Sequence, residues 1–481
     1  LGGCSIKEAY TDAGYMHSEA MSIAQRNINF ALQQISWNID TMDGKELKAY
    51  KPTGTPVVSW RCEENIGTPI VIFNPLAREV KACVSVKDIP KYITDNSGNI
   101  VPMQIVRDSK TDGDNKYCIA FAAKVPAMGY TVYRMYFKDN MKKEYKSPLV
   151  CTDSSLENDF IKLVFNEKSG ELKSIFDKKN KKELLSGETQ TLFADETMCD
   201  TWAHDIKEFK DVVGVFEKGS VRLIENGPVR ATIRSEMQLF NTKIVRDYML
   251  EAHSNVVKVS AKIDFHEKHK MLKFSVPVNA EKSEAYAEIP FGYIERPTDG
   301  TEQCCGKWIA MRGTGGGIGI ANTSKYSFDA DKNVLSLTIL RGAIYADHFG
   351  HRDEFCEFME QGEHWFEYSI FPFESFSDCE IKAEELNNKP TVVAETFHKG
   401  ALPTEFSAIS VSEKNIIPTA LKQGEDGGFV LRCYEAENID TDVCINILGT
   451  EIKAHFSHNE VKTFAVKDGE IKETDFMEWE V

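Results

Sequence analysis

The sequence predicts a mainly β protein, in which one long N-terminal helix is followed by antiparallel β-sandwich domains. Three observations carry this expectation. Apolar residues recur every three or four positions only near the start, the dominant period is two from about Thr55 onward, and glycine- and asparagine-rich turns separate the alternating runs. A chain of 481 residues has room for two to four folding units.

The helix comes first. Ser5-Ile6-Lys7-Glu8 is a capping-box pattern, which supplies acceptors for the unpaired amides of a first turn. Tyr10, Ala13, His17, Ala20, Ala24, Ala31 and Ile35 then keep helical spacing, and no proline intervenes before Pro52, so helix is expected to about Asn38. A small and apolar stripe on so long a helix must pack against other helices, yet no later segment has comparable length and period. The partner helices are therefore expected outside the chain. With Leu1-Gly2-Gly3 at its start in place of an initiating methionine, the sequence is expected to be the C-terminal part of something longer.

The strands follow. Val257, Val259, Ala261, Ile263 and Phe265 alternate with Lys258, Ser260, Lys262 and Asp264, and Val229 to Leu239 and Leu272 to Val278 behave alike, the pattern of half-buried antiparallel strands. Asn96-Ser97-Gly98, Ser169-Gly170 and Glu425-Asp426-Gly427-Gly428 are turn signals. The Lys138–Lys146 stretch and Asn387–Pro390 are the expected seams. They give a helical segment at 1–50, a small β-sandwich at 55–145, a large one at 150–386 and a last small one at 390–481.

Composition excludes several classes of function. Asp and Glu number 74 against 57 Lys and Arg, a net charge of −17, and residues 421–481 alone carry −8, the wrong sign for a nucleic-acid partner. No run approaches the roughly 18 to 20 apolar residues that cross a bilayer, so no membrane association is expected, and a cytoplasmic location is the default. The 12 cysteines form no CxxC pair, which argues against a zinc ribbon or a disulfide framework. Adjacent Cys304 and Cys305 are read as packing residues rather than a redox pair.

Familiar catalytic motifs are missing. Gly313-Thr314-Gly315-Gly316-Gly317-Ile318-Gly319 has neither GxGxxG spacing nor a GK[ST] ending and reads as a hairpin turn; His266-Glu267-Lys268-His269 places its second histidine one residue too early for HExxH. His348, His351 and Asp353 read as loop polarity, and the Asn322-Thr323-Ser324 sequon is a weak signal. More suggestive are two segments where tryptophan sits beside acids, Asp200-Thr201-Trp202-Ala203-His204-Asp205 and Glu363-His364-Trp365-Phe366-Glu367-Tyr368. An aromatic ring covers the apolar face of a sugar while carboxylates accept its hydroxyls.

Several segments, taken in order, resemble the C-terminal half of the glycoside hydrolase family 38 α-mannosidases, especially their bacterial members. Gly170-Glu171-Leu172-Lys173-Ser174-Ile175-Phe176-Asp177-Lys178 with Glu183-Leu184-Leu185 is similar to that family's G-x-L-x-S-I-x-D-K…E-L-L strand pair. Phe265 to Lys273 resembles its W-x-E-x-H-K-L-L-K strand, with phenylalanine for tryptophan. Glu295-Arg296-Pro297-Thr298, Ser324-Lys325-Tyr326, Leu337 to Arg341, Gly362 to Tyr368 and Glu460 to Phe464 follow in the family's order, so the resemblance runs over nearly the whole chain. Leu1 to Ile6 is similar to the tail of a loop whose histidine, falling just before Leu1, binds the catalytic zinc.

The resemblance implies an upstream α/β barrel carrying zinc and the catalytic aspartates, a three-helix bundle of which this chain holds one helix, and a central supersandwich like that of galactose mutarotase. It implies retaining hydrolysis of terminal α-mannosides in mannose-containing oligosaccharides. No catalytic or metal residue falls within residues 1–481, so the chain alone is expected to be inactive and to bind no zinc itself. The loops Asp200–Asp205 and Arg341–Asp347 are expected to form the pocket wall, with Asp200, Trp202, Asp205, Arg341 and Asp347 touching substrate. Gly342-Ala343 departs from the Ser-Pro usual after that arginine, and a strand-end arginine in a surface ion pair is the plain alternative for Arg341. Other expectations are the absent barrel and helices as partners and a homo-oligomer as a possible assembly. The competing reading is a carbohydrate-binding sandwich protein that holds sugar without hydrolysing it.

Overall fold

The computed structural model describes residues 6–44, 66–112, 115–137, 145–202, 204–346, 352–425 and 427–479. Helix α1 spans Lys7–Ser36, and its first turn closes where Ala9 and Tyr10 donate to the Ile6 carbonyl at 3.2 and 3.4 Å. Ser5 of the capping box lies outside the described residues. Asn38 stops the helix by turning its amide onto the Gln34 carbonyl at 2.8 Å. Only Ser36 of the 30 helical residues is buried, and Met16, Met21, Ile28 and Phe30 all stand exposed. That is the reverse of an ordinary surface helix, which hides its apolar side.

The chain divides into two compact units, and the division falls inside α1, between Ser22 and Ile23. The first unit takes in Leu1–Ser22, Pro148–Asn226 and Arg230–Asn387. It holds a nine-stranded, a six-stranded and a five-stranded antiparallel sheet. In Val257–Phe265 the odd-numbered residues from Val257 to Phe265 are buried and the even-numbered ones are half-exposed, as period two requires. This strand lies between Thr242–Glu251 and Gly362–Pro372 in the nine-stranded sheet. The six-stranded sheet runs Val212–Val215, Gln190–Asp195, Lys270–Pro277, Val334–Arg341, Ser327–Asp331, Gln303–Cys304. Phe165, Phe193, Tyr248, Phe265, Phe274 and Ile370 come from all three sheets and share one core. Each such side chain removed from water contributes about 1.5–3 kcal/mol.

The glycine segment is the expected hairpin. Gly313 faces Gly316 across the turn between Trp308–Thr314 and Gly316–Asn322, where Gly315 and Gly316 take φ of 112° and 153°, conformations that side chains with a Cβ avoid. A second helix, α2 (Phe376–Asn387), follows the long strand Gly362–Pro372. Ser375 caps it by accepting from the Asp378 amide at 3.1 Å, and Phe376, Cys379, Ala383 and Leu386 bury one face against Trp308 and Phe371. Asn322 of the sequon is fully buried and holds the Ser324 and Lys325 amides, so its side chain is spent on the turn.

An ion pair between Arg246 and Glu171 is buried in the first unit's core. Arg246 donates to Glu171 at 2.9 Å and to Thr191 at 2.7 Å, with both charged residues nearly inaccessible. Thr191 and Thr189 donate to the two oxygens of Glu171 at 2.6 and 2.7 Å.

The second unit contains the remaining sandwiches. Thr68–Asn74 pairs with Gly129–Tyr136 on one side and with Thr391–Ala394 on the other, and Glu405–Ser407 also joins Gly129–Tyr136, so this sheet draws strands from both ends of the sequence. The last sandwich packs Ile416–Gln423, Phe429–Glu435, Val461–Lys467 and Glu470–Thr474 against a three-stranded sheet around Leu431, Ile445, Phe456 and Phe464. Among the described residues no helix is long and apolar enough to cross a membrane.

Candidate functional site

At one end of the first unit, four chain segments are tied together by backbone bonds. His269 donates its amide to the Gly342 carbonyl at 2.7 Å and accepts from the Glu196 amide at 3.0 Å. Ile344 bridges both Asp200 and Phe358. The segments after strands Gln190–Asp195 and Val334–Arg341 therefore meet the loop before Lys270–Pro277 and the approach to Gly362–Pro372. The first turns of α1 rest on the same end, with Lys7 paired to Glu357 and the Tyr10 ring 5.7 Å from that of Tyr345.

Arg341 is the focus. Its Nε and Nη2 both meet Oε1 of Glu196, Nη2 also donates to the Asp200 carbonyl at 3.2 Å, and its amide donates to Glu360 at 2.6 Å. The strand-end ion pair of the plain alternative is thus present, with its acid buried rather than on the surface, because Glu196 is only 1% exposed. Nη1 has no partner among the described residues, and the arginine side chain is 28% exposed, so one edge of the guanidinium faces outward. Burial pushes the Glu196 carboxyl up to about 7, against the pull of Arg341, with the charges of Glu360 and Glu302 adding to the rise. Burial likewise pushes Cys199 up to about 11 and keeps His269 below the usual histidine range.

The other expected site residues fall around this centre. Asp200 is fully buried, and its carboxylate accepts from the Trp202 amide at 2.6 Å and faces His204 Nε2 at 3.0 Å, so it shapes the loop from beneath. Trp202 is 48% exposed and Asp205 is exposed beyond it. His204 and Asp205 take φ of 48° and 64°, left-handed values that lift this turn away from the sheet. Asp347 lies outside the described residues, as do His348 and His351. Trp365 stands elsewhere, two-thirds exposed on the nine-stranded sheet with Lys262 Nζ 5.0 Å from its ring centre.

Sequence reasoning did not nominate Glu196, His269 or Glu360 for this cluster. The available signal for Glu196 was weak: an acid immediately after an alternating strand, one among 74. The His266–His269 motif does not gather ligands, since His266 pairs with Asp264 at 2.8 Å and buried Glu267 accepts from the Asn241 amide and from Lys270. Among the described residues no group of three or more His, Cys, Asp or Glu side chains is placed to hold a metal ion. These residues do not fit a zinc site. Cys305, pushed up to about 12 by burial, is a packing thiol with its sulfur 3.7 Å from the Lys325 carbonyl, while Cys304 beside it is exposed.

Comparison with known proteins gives a consistent picture. The family model described as "Glycosyl hydrolases family 38 C-terminal domain" matches residues 156–349, and "Glycosyl hydrolases family 38 C-terminal beta sandwich domain" matches residues 415–480. The chain is 24% identical to alpha-mannosidase G of Dictyostelium discoideum over 475 residues, covering 91% of this chain and 41% of that protein. It is 26% identical to human alpha-mannosidase 2C1 over 262 residues, covering 52% of this chain and 24% of that protein. An alpha-mannosidase from Enterococcus faecalis V583 has the same fold, with a TM-score of 0.79 at 15% identity, covering 97% of this chain and 61% of that one. The chain thus spans well under half the length of the curated relatives it matches.

Proposed function

Because the chain belongs to glycosyl hydrolase family 38, two of whose C-terminal domains it carries, we propose that it is the C-terminal portion of a retaining, zinc-dependent α-mannosidase. In this reading it forms a wall of the sugar pocket, while the zinc and the catalytic carboxylates belong to protein outside residues 1–481. The observation that carries the pocket-wall role is the outward guanidinium edge of Arg341, held rigid at a loop cluster.

Retaining hydrolysis of a terminal α-mannoside uses one carboxylate to attack the anomeric carbon and an acid to protonate the departing oxygen. Neither part is assigned to a described residue. What this chain supplies is binding. Arg341 Nη1 donates to a sugar hydroxyl, the Trp202 ring covers an apolar face, and Asp205 accepts a hydroxyl proton. The exposed apolar residues of α1 support the same reading, because a helix with Met16, Met21, Ile28 and Phe30 in water is suited to other helices of a bundle.

The test is hydrolysis of p-nitrophenyl α-mannoside by the protein encoded in the full reading frame and by the 481-residue chain alone, each with and without a chelator. The expected result is chelator-sensitive turnover by the former and none by the latter. Chelator-sensitive turnover by the isolated chain would overturn the placement of catalysis outside it. The second reading, a sandwich that binds sugar without hydrolysing it, is favoured by Trp365, whose ring is exposed on the nine-stranded sheet opposite Lys262. It predicts that the isolated chain binds mannose oligosaccharides and that Trp365→Ala abolishes binding, whereas the pocket-wall reading predicts no effect of that substitution on turnover.

A further inference from the structure

We propose that Glu196 is a positioning residue: it fixes the plane of the Arg341 guanidinium so that Nη1 is held toward a sugar hydroxyl, and it takes no part in bond making. The proposal rests on the pocket-wall reading and adds to it the group on which the wall's cation depends.

Two donors of Arg341, Nε and Nη2, share the single oxygen Oε1 of Glu196, and Nη2 also reaches the Asp200 carbonyl at 3.2 Å. A guanidinium held at two of its three nitrogens cannot rotate about its terminal bonds, and the third nitrogen is then presented in one direction. The carboxylate is itself immobile. Its residue is 1% exposed, its amide is bonded to His269 at 3.0 Å, and its carbonyl accepts from the Cys199 amide at 3.1 Å.

The second oxygen of Glu196, Oε2, is buried with no hydrogen-bond partner among the described residues. A carboxylate placed only for stability has both oxygens satisfied, as Glu171 does in the core of the same unit. Glu196 carries the cost of an orphan oxygen and in return sets the direction of a half-exposed arginine at the end of a sheet. That trade is characteristic of residues held for a task rather than for the fold.

The test measures α-mannoside hydrolysis by the complete protein and by its Glu196→Gln, Arg341→Met and double variants, with melting temperatures alongside. Glutamine keeps the shape but offers a neutral acceptor, roughly half as strong toward a guanidinium, so KM is expected to rise about tenfold while kcat falls less than about threefold. Arg341→Met raises KM at least as much, and the double variant is no worse than Arg341→Met alone, because Glu196 acts only through the arginine. Should Glu196→Gln fail to fold, Glu196→Asp, which keeps the charge but retracts it by a methylene, is expected to raise KM in the same way. An unchanged KM for both Glu196 variants, with Arg341→Met impaired, overturns the positioning role alone, as do additive effects in the double variant. If Arg341→Met itself leaves KM unchanged, the pocket-wall reading falls and the role of Glu196 falls with it.

Discussion

Neutralising Glu196 should make the folded chain more stable in alkaline solution, the opposite of what losing half of an ion pair usually does. Burial raises this carboxyl from 4.5 to about 7 even with Arg341 beside it, and the charges of Glu360 and Glu302 add to the rise. A group whose folded value lies above its unfolded one contributes stability that is full below about 4.5 and is lost as the pH rises through about 7. At ~1.4 kcal/mol per tenfold, that interval is worth roughly 3 kcal/mol, and a residue this deeply buried has little solvent screening to reduce it. Glu196→Gln therefore unfolds at a higher urea midpoint than the wild type at pH 8, by about 3 kcal/mol, and matches it near pH 4.5. Glu288, raised to about 7 mainly by burial, titrates in the same window and remains in the variant, so the pH slope is reduced rather than abolished. Tryptophan fluorescence during urea unfolding at a series of pH values reads the effect. A variant no more stable than wild type at pH 8, or an unchanged slope, would refute the reasoning.

Two further outcomes test the buried chemistry of the first unit. Arg246→Met removes the cation facing Glu171 in the core and should cost about 3–5 kcal/mol, a fall of roughly 10 °C in melting temperature, while adding Glu171→Leu recovers at least half of it because two apolar residues replace a desolvated pair; a double variant no more stable than the single one would contradict this. Alkylation by iodoacetamide at pH 8 followed by peptide mass analysis should modify exposed Cys304 and spare Cys305, whose thiol burial holds at about 12, and equal labelling of the two would show that the segment opens.

The strands were legible because each half-buried strand writes its period into the sequence. Val257–Phe265 and the hairpin at Gly315 stand where alternation and glycine placed them. Helix α2 escaped because it is short, although Ser375 and Asp378 carry a capping signal and Phe376, Cys379, Ala383 and Leu386 keep helical spacing. The pairing of Thr391–Ala394 with Thr68–Asn74 could not be read, since periodicity reports which face of a strand is buried and says nothing of its neighbour. At the site, the resemblance brought forward Arg341 and the Asp200 loop, but Glu196 and Glu360 reach Arg341 through their carboxylates and His269 reaches Gly342 through its amide, long-range contacts that leave no local pattern.

Two buried acids of the first unit, Glu171 and Glu196, show how a structural charge differs from one kept for use. Glu171 lies just before strand Leu172–Asp177, with Arg246 and the hydroxyls of Thr189 and Thr191 closing around it, and each of its oxygens has a partner. Nothing about that arrangement points outward. Glu196 is as deeply buried, yet among the described residues its Oε2 has no partner, and it grips an arginine whose side chain is 28% exposed. A sequence selected for stability alone would replace such a carboxylate with a neutral residue, because ionising it opposes folding throughout the alkaline range. The expected opposition of the two measurements, glutamine raising stability while weakening sugar binding, is what separates a positioning role from a merely structural ion pair.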